Sequence, residues 1–234
     1  NMSWMFADSL FNRDISSWDV SNVTNMSSMF MVLSTYFIAS PFNQPIGNWD
    51  VSSVIDMSQM FYDSLFNQDI SSWNVSSVVS MAQMFRYAAF NQDINSWDVS
   101  NVRNMDNMFY SANVFNQPIG DWDVSNVTDM SGMFSGENDG GEILNNFNQD
   151  ISSWDVGSVT NMNAMFSFND VFNQDIGNWD VSNVTSMRYT FLRAYSFNQD
   201  ISSWNVSSVT DCYAFSNNSP LTEANTPNLP NGCS

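Results

Sequence analysis

The chain of 234 residues carries 24 acidic side chains against five basic ones, and its formal net charge of −19 repels the phosphates of nucleic acids and of anionic membranes. Because 43% of the residues are hydrophobic and 15% are aromatic, an intrinsically disordered chain is excluded. No run of 18 or more apolar residues occurs, so no segment is expected to span a membrane.

The sequence begins inside a repeated motif. Residues 1–6, Asn-Met-Ser-Trp-Met-Phe, match residues 25–30, Asn-Met-Ser-Ser-Met-Phe. We therefore expect the chain to be a fragment whose upstream part, including any targeting signal, is missing from this sequence.

A tryptophan marks each copy of the repeat, and near copies of Phe-Asn-Gln-Asp-Ile-Ser-Ser-Trp-Asn-Val (residues 66–75) recur along the chain. The repeated tryptophans are Trp18, Trp49, Trp73, Trp97, Trp122, Trp154, Trp179 and Trp204. Their spacing of 24 to 32 residues is typical of a repeat array, in which the units bury their apolar faces by stacking on one another.

Two periodicities lie inside each repeat. Residues 18–20, Trp-Asp-Val, alternate apolar and polar side chains, as a short half-buried strand does. Met26, Met29 and Phe30 then stand at i, i+3 and i+4, the spacing of one buried face of a helix. Suitable N-terminal caps for such helices are Thr24, Thr128, Thr160 and Thr185.

These patterns predict an α/β repeat fold, a right-handed leucine-rich-repeat-like solenoid of about eight coils. Each coil would consist of one short strand plus one short helix or 3-10 turn. Residues 1–216 would form this single solenoid. Residues 217–234, which are rich in turn-forming residues, would form a C-terminal cap or tail.

The repeated motifs also carry a family resemblance. Over about residues 1 to 216, Phe-Asn-Gln-Asp-Ile-Ser-Ser-Trp-Asp-Val and Met-x-x-Met-Phe resemble the BspA-like leucine-rich-repeat surface proteins. The resemblance is closest to the repeat of about 25 residues in mycoplasma lipoproteins, which also occurs in marine bacteria and algae. It implies a secreted or surface-exposed protein associated with adhesion or host contact.

Two links between repeats, residues 31–41 and residues 135–146, are longer than the others. The first link adds Tyr36 and Phe37, for which a packed loop and a contact site both remain open. The second link adds the acidic residues Glu137, Asp139 and Glu142. These fit a solvated turn better than a calcium loop, because no D-x-D-x-D-G series is present.

An acidic or amide residue follows each repeated tryptophan. Because stacked strands lie about 4.8 Å apart, equivalent residues of successive repeats would form a ladder. This ladder consists of Asp19, Asp50, Asp98, Asp123, Asp155 and Asp180, with Asn74 and Asn205 at the same position. Two interpretations remain open: carboxylates that are solvated or bonded to serine hydroxyls, and carboxylates that bind a cation, such as weakly held calcium, or a basic partner.

Two further polar ladders are expected to be structural. One precedes the isoleucines and is interrupted by Pro45 and Pro118, which indicates that this position favours an extended backbone rather than a charge. Its acidic members are Asp14, Asp69, Asp93, Asp150, Asp175 and Asp200. The other is the invariant asparagine series, whose amides can bond along the stack: Asn12, Asn43, Asn67, Asn91, Asn116, Asn148, Asn173 and Asn198.

The chain has no histidine and no lysine, so the usual catalytic bases, nucleophiles and metal ligands are scarce. We expect no enzymatic activity and no cofactor. The two cysteines, Cys212 and Cys233, are predicted to form a disulfide that fixes the tail and indicates an oxidising compartment. Candidate glycosylation sites are Asn22, Asn126, Asn183 and Asn217.

The sequence therefore indicates a secreted or cell-surface module without catalysis, which recognises a protein or glycan or mediates adhesion. The alternative is a structural building block of an extracellular filament, coat or other surface assembly, packed against copies of itself. Both functions need the same stable stack, so the sequence leaves both open. A nucleic-acid partner is not expected.

Overall fold

Regular secondary structure is scarce in this chain. The computed structural model describes residues 1–33, 39–138, 142–230 and 233. Within them, strand β1 (Glu137–Asn138) pairs antiparallel with strand β2 (Glu142–Ile143), and one 3-10 helix spans Glu223–Asn225. An α/β solenoid would need a strand and a helix in every coil, so the predicted fold class is wrong. In this part of the chain no helix has the length and apolarity needed to cross a membrane.

Successive repeats nevertheless stack on one another in parallel. Single parallel bridges join the residue that precedes the first methionine of each repeat to its counterpart in the next repeat. These residues are Asn25, Asp56, Ser80, Asn104, Asp129, Asn161, Ser186 and Asp211. The tryptophan spacing thus identified the repeat correctly, although not its secondary structure.

The Met-x-x-Met-Phe segment is a row of turns rather than a helix. The backbone N–H groups of Met26, Ser28 and Phe30 donate to carbonyl oxygens of the next repeat at 2.8 to 3.0 Å. Ser28 has a φ of 57°, which helps to turn alternate N–H groups toward that repeat. In an α-helix these groups would bond to the carbonyls four residues back. The helical spacing still fits, because Met26, Met29 and Phe30 are all buried.

The predicted helix caps are wrong for the same reason. Thr160 donates from its backbone N–H and from Oγ1 to the carbonyl oxygen of Thr128, at 2.9 and 3.2 Å. Thr185 donates in the same way to Thr160, at 2.9 and 3.1 Å. These exposed threonines therefore tie neighbouring repeats together.

The core is a stack of aromatic rings with one layer in each repeat. One series has ring centroids 5.6 to 5.9 Å apart and comprises Phe30, Phe61, Phe85, Phe109, Phe134, Phe166 and Phe191. A second series has centroids 6.0 to 6.5 Å apart and comprises Phe42, Phe66, Phe90, Phe115, Phe147, Phe172 and Phe197. The methionines of the repeat pack among these rings in one continuous core, as the sequence predicted.

The tryptophans form an interior row with one exception. The seven from Trp49 to Trp204 are only 3 to 5% exposed. Each donates its indole Nε1–H to the carbonyl of the isoleucine in the preceding repeat, at 3.0 to 3.2 Å. Trp18 is 38% exposed, and residues 1–14 contain no isoleucine that could accept its N–H. The alternation of residues 18–20 predicted a buried apolar side chain at Trp18 as in the other repeats, and this prediction is wrong.

Left-handed backbone at non-glycine residues provides a test of the turn structure. Ala164 has a φ of 53°, and its counterpart in the preceding repeat is Gly132, with a φ of 60°. A Cβ in this conformation costs about 1 to 2 kcal/mol. We expect Ala164→Gly to raise the free energy of unfolding by about 1 kcal/mol, because glycine adopts this conformation without a clash. Chemical denaturation measures the change.

The control for this substitution is Ala82→Gly. Ala82 occupies the neighbouring position of the same motif and is not left-handed. There the extra freedom of glycine is expected to lower the free energy of unfolding by roughly 0.5 to 1 kcal/mol. Destabilisation by both substitutions would contradict the turn structure.

The segment after residue 216 lies against the last repeat. The backbone N–H of Thr222 donates to the side-chain oxygen of Asn198 at 3.1 Å, and Asn225 Nδ2 donates to the same atom at 3.2 Å. In the interior repeats, the equivalent asparagine oxygen instead accepts hydrogen bonds from the backbone N–H of the next repeat's asparagine and from the side chain of its glutamine. The tail therefore continues the asparagine series by one layer.

Apolar packing and a covalent bond hold the tail in place. Leu221 and Leu229 pack against the core. Cys212 and Cys233 are joined by a disulfide, as predicted from the sequence. Cys212 itself is 5% exposed and occupies the position of a buried methionine.

Candidate functional site

The residues that follow the tryptophans form an exposed row that we call the acidic column: Asp19, Asp50, Asn74, Asp98, Asp123, Asp155, Asp180 and Asn205. Each of these side chains accepts a hydrogen bond from the backbone N–H of the residue two positions later. At Asp98, for example, Oδ1 accepts the N–H of Ser100 at 3.1 Å and its hydroxyl at 2.6 Å. At Asp155 the equivalent residue is Gly157, so only the N–H contributes, at 3.0 Å.

At four positions of the column these hydrogen bonds favour the ionised carboxylate. Donation from the serine hydroxyl, followed by donation from its N–H, lowers the pKa of Asp19, Asp50, Asp123 and Asp180. The serine bonds that the sequence left open are therefore present. Binding of a cation or a basic partner stays a prediction.

Successive carboxylates of the column lie near each other. A Cβ placed on Gly157 would be 3.1 Å from Asp155 Oδ1 and 3.9 Å from Asp180 Oδ2, so two repeats border the same residue. The charge on Asp19 also opposes the lowering of the pKa of Asp50, although the bonds from Ser52 outweigh it. The longest unbroken negative strip of the column consists of Asp98, Asp123, Asp155 and Asp180.

The second acidic ladder has the same local structure. Asp14 Oδ1 accepts the N–H of Ser16 at 2.9 Å, and Asp69 accepts that of Ser71 at 2.9 Å. Hydrogen bonds from the serine two residues later lower the pKa of Asp14, Asp69, Asp150 and Asp200. These bonds support the structural role predicted for the ladder.

The invariant asparagines bond along the stack, as predicted, but not from one asparagine side chain to the next. Asn67 Oδ1 accepts the backbone N–H of Asn91 and the side-chain amide of Gln92, at 2.9 and 3.0 Å. The side-chain carbonyl thus bonds to the next repeat's backbone. The same pattern recurs at Asn12, Asn43, Asn91, Asn148 and Asn173.

A third polar row was missed by the sequence analysis. It consists of the bridge residues that precede the first methionine, and they are half-buried. Asn25 Nδ2 donates to Asp56 Oδ2 at 3.2 Å, and Asn161 Nδ2 donates to Asp129 Oδ2 at 3.1 Å. Every member of the row is Asn, Asp or Ser, a restriction that could have indicated its role.

Metal binding finds no support in the described part of the chain. No three His, Cys, Asp or Glu side chains are grouped there in a way that could hold a metal ion. The acidic column supplies one carboxylate in a repeat, whereas calcium needs six to eight oxygen ligands. Weakly bound calcium, which the sequence left open, stays a prediction.

The contact residues predicted in the two long links are only partly described. Tyr36, Phe37 and Asp139 lie outside the described residues. Glu142 belongs to β2, but its side chain is outside the described part as well. Glu137 in β1 accepts a hydrogen bond from the hydroxyl of Tyr87, so it turns back toward an earlier repeat.

Tyr87 belongs to a cluster that the sequence analysis missed. Burial and, next, the bond to Glu137 raise the pKa of Tyr87. Arg86 donates from Nη2 to the Tyr87 hydroxyl at 3.3 Å, and its guanidinium lies 4.1 Å from the Tyr110 ring centroid and 5.8 Å from that of Tyr62. Tyr62, Arg86 and Tyr110 share the position after Met-x-x-Met-Phe, a signal that could have placed them together.

The glycosylation candidates differ in how their side chains are engaged. Nδ2 donates to Ser100 O at 2.8 Å in Asn126 and to Gly157 O at 2.7 Å in Asn183. Nδ2 of Asn22 lies 3.4 Å from the Ser21 hydroxyl. Asn217 is exposed, and its side chain makes no hydrogen bond with the described residues. Glycosylation stays a prediction. Among the four candidates the geometry favours Asn217, because its side-chain amide is exposed and is not engaged by the described residues.

Comparison with known families identifies the repeat. The family model described as "Mycoplasma protein of unknown function, DUF285" matches residues 1–37, 31–143 and 142–228. Three overlapping matches along most of the chain agree with a repeat protein. No curated protein and no solved structure matches the chain.

Proposed function

We propose that this chain, which belongs to the DUF285 family of Mycoplasma proteins of unknown function, is a non-catalytic recognition module that binds a basic protein partner through its acidic column. We place it at the cell surface or outside the cell. The observation that carries the proposal is the fixed geometry of the column. Its carboxylates are exposed and are held in register by the residues two positions later.

Fixed carboxylates favour binding because less side-chain freedom is lost when a partner docks. A row of equal charges also attracts an Arg- or Lys-rich surface over a distance and speeds its association. The net charge of −19 adds to this attraction. Charge on the partner therefore determines which proteins the column favours.

The proposed location is supported by the disulfide. Bonds between cysteines persist in secreted proteins and at cell surfaces, whereas the cytosol keeps thiols reduced. The resemblance to BspA-like surface proteins points the same way. The lack of histidine and lysine favours recognition over catalysis.

Neutralising the column is the test of this function. We expect the variant Asp98→Asn, Asp123→Asn, Asp155→Asn and Asp180→Asn to bind a deca-arginine peptide about tenfold more weakly at low salt and with a smaller salt dependence. Its thermal unfolding is expected to match that of the parent chain, because Asn74 and Asn205 already occupy this position with the same bond from the following serine. Titration calorimetry at two salt concentrations measures the binding.

A second variant separates the column from the overall charge. It carries Asp14→Asn, Asp69→Asn, Asp150→Asn and Asp200→Asn, which remove the same charge from the other exposed ladder. We expect it to lose clearly less affinity. Equal losses in both variants would mean that only net charge matters, and the column would then not be a binding site.

A further inference from the structure

A cleft opens where the last repeat meets the tail. Its volume is about 530 Å³, within the range of roughly 300 to 1,000 Å³ that is typical of small-molecule sites. It is lined by Trp204, Asn205, Val206, Ser207, Asn228, Leu229 and Pro230. Two amides, a hydroxyl and apolar groups thus face a common space.

No residue that lines this cleft is charged, although the chain carries 24 acidic side chains. The acidic column reaches the cleft at its last member, where Asn205 replaces aspartate. A cationic ligand would be attracted to the carboxylates of the column instead. An anionic ligand would be repelled by the net charge of −19.

The polar groups of the cleft are less engaged than their counterparts elsewhere. In an interior repeat, the hydroxyl of Ser76 donates to Asn74 Oδ1 at 2.7 Å. In the last repeat only the N–H of Ser207 donates to Asn205 Oδ1, at 3.2 Å. Within the described residues, the Ser207 hydroxyl and the Asn228 side chain make no hydrogen bond.

The walls of the cleft are fixed before any ligand arrives. Leu229 packs against the core, and the disulfide between Cys212 and Cys233 anchors the tail. The indole N–H of Trp204 is engaged by the carbonyl of Ile176 at 3.1 Å. Trp204, which is 5% exposed, therefore offers the cleft neither a donor nor much ring surface.

We propose that this cleft binds a neutral saccharide. Amides and hydroxyls both donate and accept hydrogen bonds, as sugar hydroxyls do. The accessible parts of Leu229 and Pro230 supply the apolar surface that packs against the C–H groups of a sugar ring. The site lies outside the four aspartates whose replacement tests the acidic column, so the two proposals fail independently.

Titration calorimetry with glucose, galactose, N-acetylglucosamine and their disaccharides tests the site. We expect at least one of these sugars to bind with a stoichiometry of one. Asn205→Ala and Asn228→Ala should each weaken that binding about tenfold or more. Asn74→Ala removes the same asparagine turn from an interior repeat and should leave the affinity unchanged.

Binding of none of these sugars would overturn the proposal, and so would equal effects of Asn205→Ala and Asn74→Ala. Preference for glucuronate or glucosamine over the neutral sugars would refute the argument from charge. Reduction of the disulfide should also weaken binding, because it releases one wall. Unchanged affinity in a reduced chain whose hydrogen exchange at Leu229 has accelerated would show that the sugar binds elsewhere.

Discussion

Replacement of Trp154 by alanine is expected to lower the free energy of unfolding by about 3 to 5 kcal/mol. The indole is 3% exposed and lies between Trp122 and Trp179, with ring centroids 6.4 Å away on both sides. Its Nε1–H donates to the carbonyl of Ile119 at 3.0 Å. Alanine would leave a cavity in the core and remove this bond between two repeats.

Chemical denaturation followed by circular dichroism measures this loss. The matched control is Trp18→Ala, because Trp18 occupies the same repeat position but is 38% exposed. There we expect a smaller loss of about 2 kcal/mol, since more of the side chain is already exposed to water and less buried surface is removed. A central defect also separates the repeats on its two sides, so Trp154→Ala is expected to broaden the transition. Similar losses for the two variants would contradict the difference in burial between Trp154 and Trp18.

The core could be predicted because repetition made its pattern plain. Met57, Phe61 and Trp73 recur at fixed spacing, and each of them is buried. A stack places equivalent residues over each other whatever their local backbone is. The identity of the core residues therefore did not depend on the wrongly predicted helices.

The turns could not be predicted from local patterns. Gln59 has a φ of 60°, although nothing about a glutamine favours this conformation. Its N–H donates to the carbonyl of Ala82 in the next repeat at 2.8 Å. This bond depends on contact between repeats, which local helical propensity does not include. The spacing i, i+3 and i+4 fits a helix and this row of turns equally well.

The candidate site was predictable only where it repeats. The acidic column follows from the position after each tryptophan, and the bond from Ser100 to Asp98 is a local feature of aspartate in turns. Glu137 lies in a long link that the other repeats lack, and it contacts Tyr87 in an earlier repeat. No periodicity could have revealed that contact.

Loss of the disulfide between Cys212 and Cys233 is expected to destabilise the end of the stack by about 3 kcal/mol. The two cysteines are 21 residues apart, and the closed loop restricts the unfolded tail. The variant Cys212→Ala with Cys233→Ala avoids placing a polar group in the core, where Cys212 is buried. Reduction of the parent chain should give the same loss, and the two results check each other.

The loss should be local, because each repeat contacts only its neighbours. Hydrogen exchange is expected to accelerate at Thr222 and Leu229, whose N–H groups bond to Asn198 Oδ1 and to the carbonyl of Pro227. The N–H of Phe109, which donates to Met133 O at 3.0 Å in the middle of the stack, should keep its protection. Faster exchange at Phe109 as well would mean that the chain unfolds as one unit. Unchanged exchange at Thr222 would mean that the hydrogen bonds to Asn198 hold the tail without the disulfide.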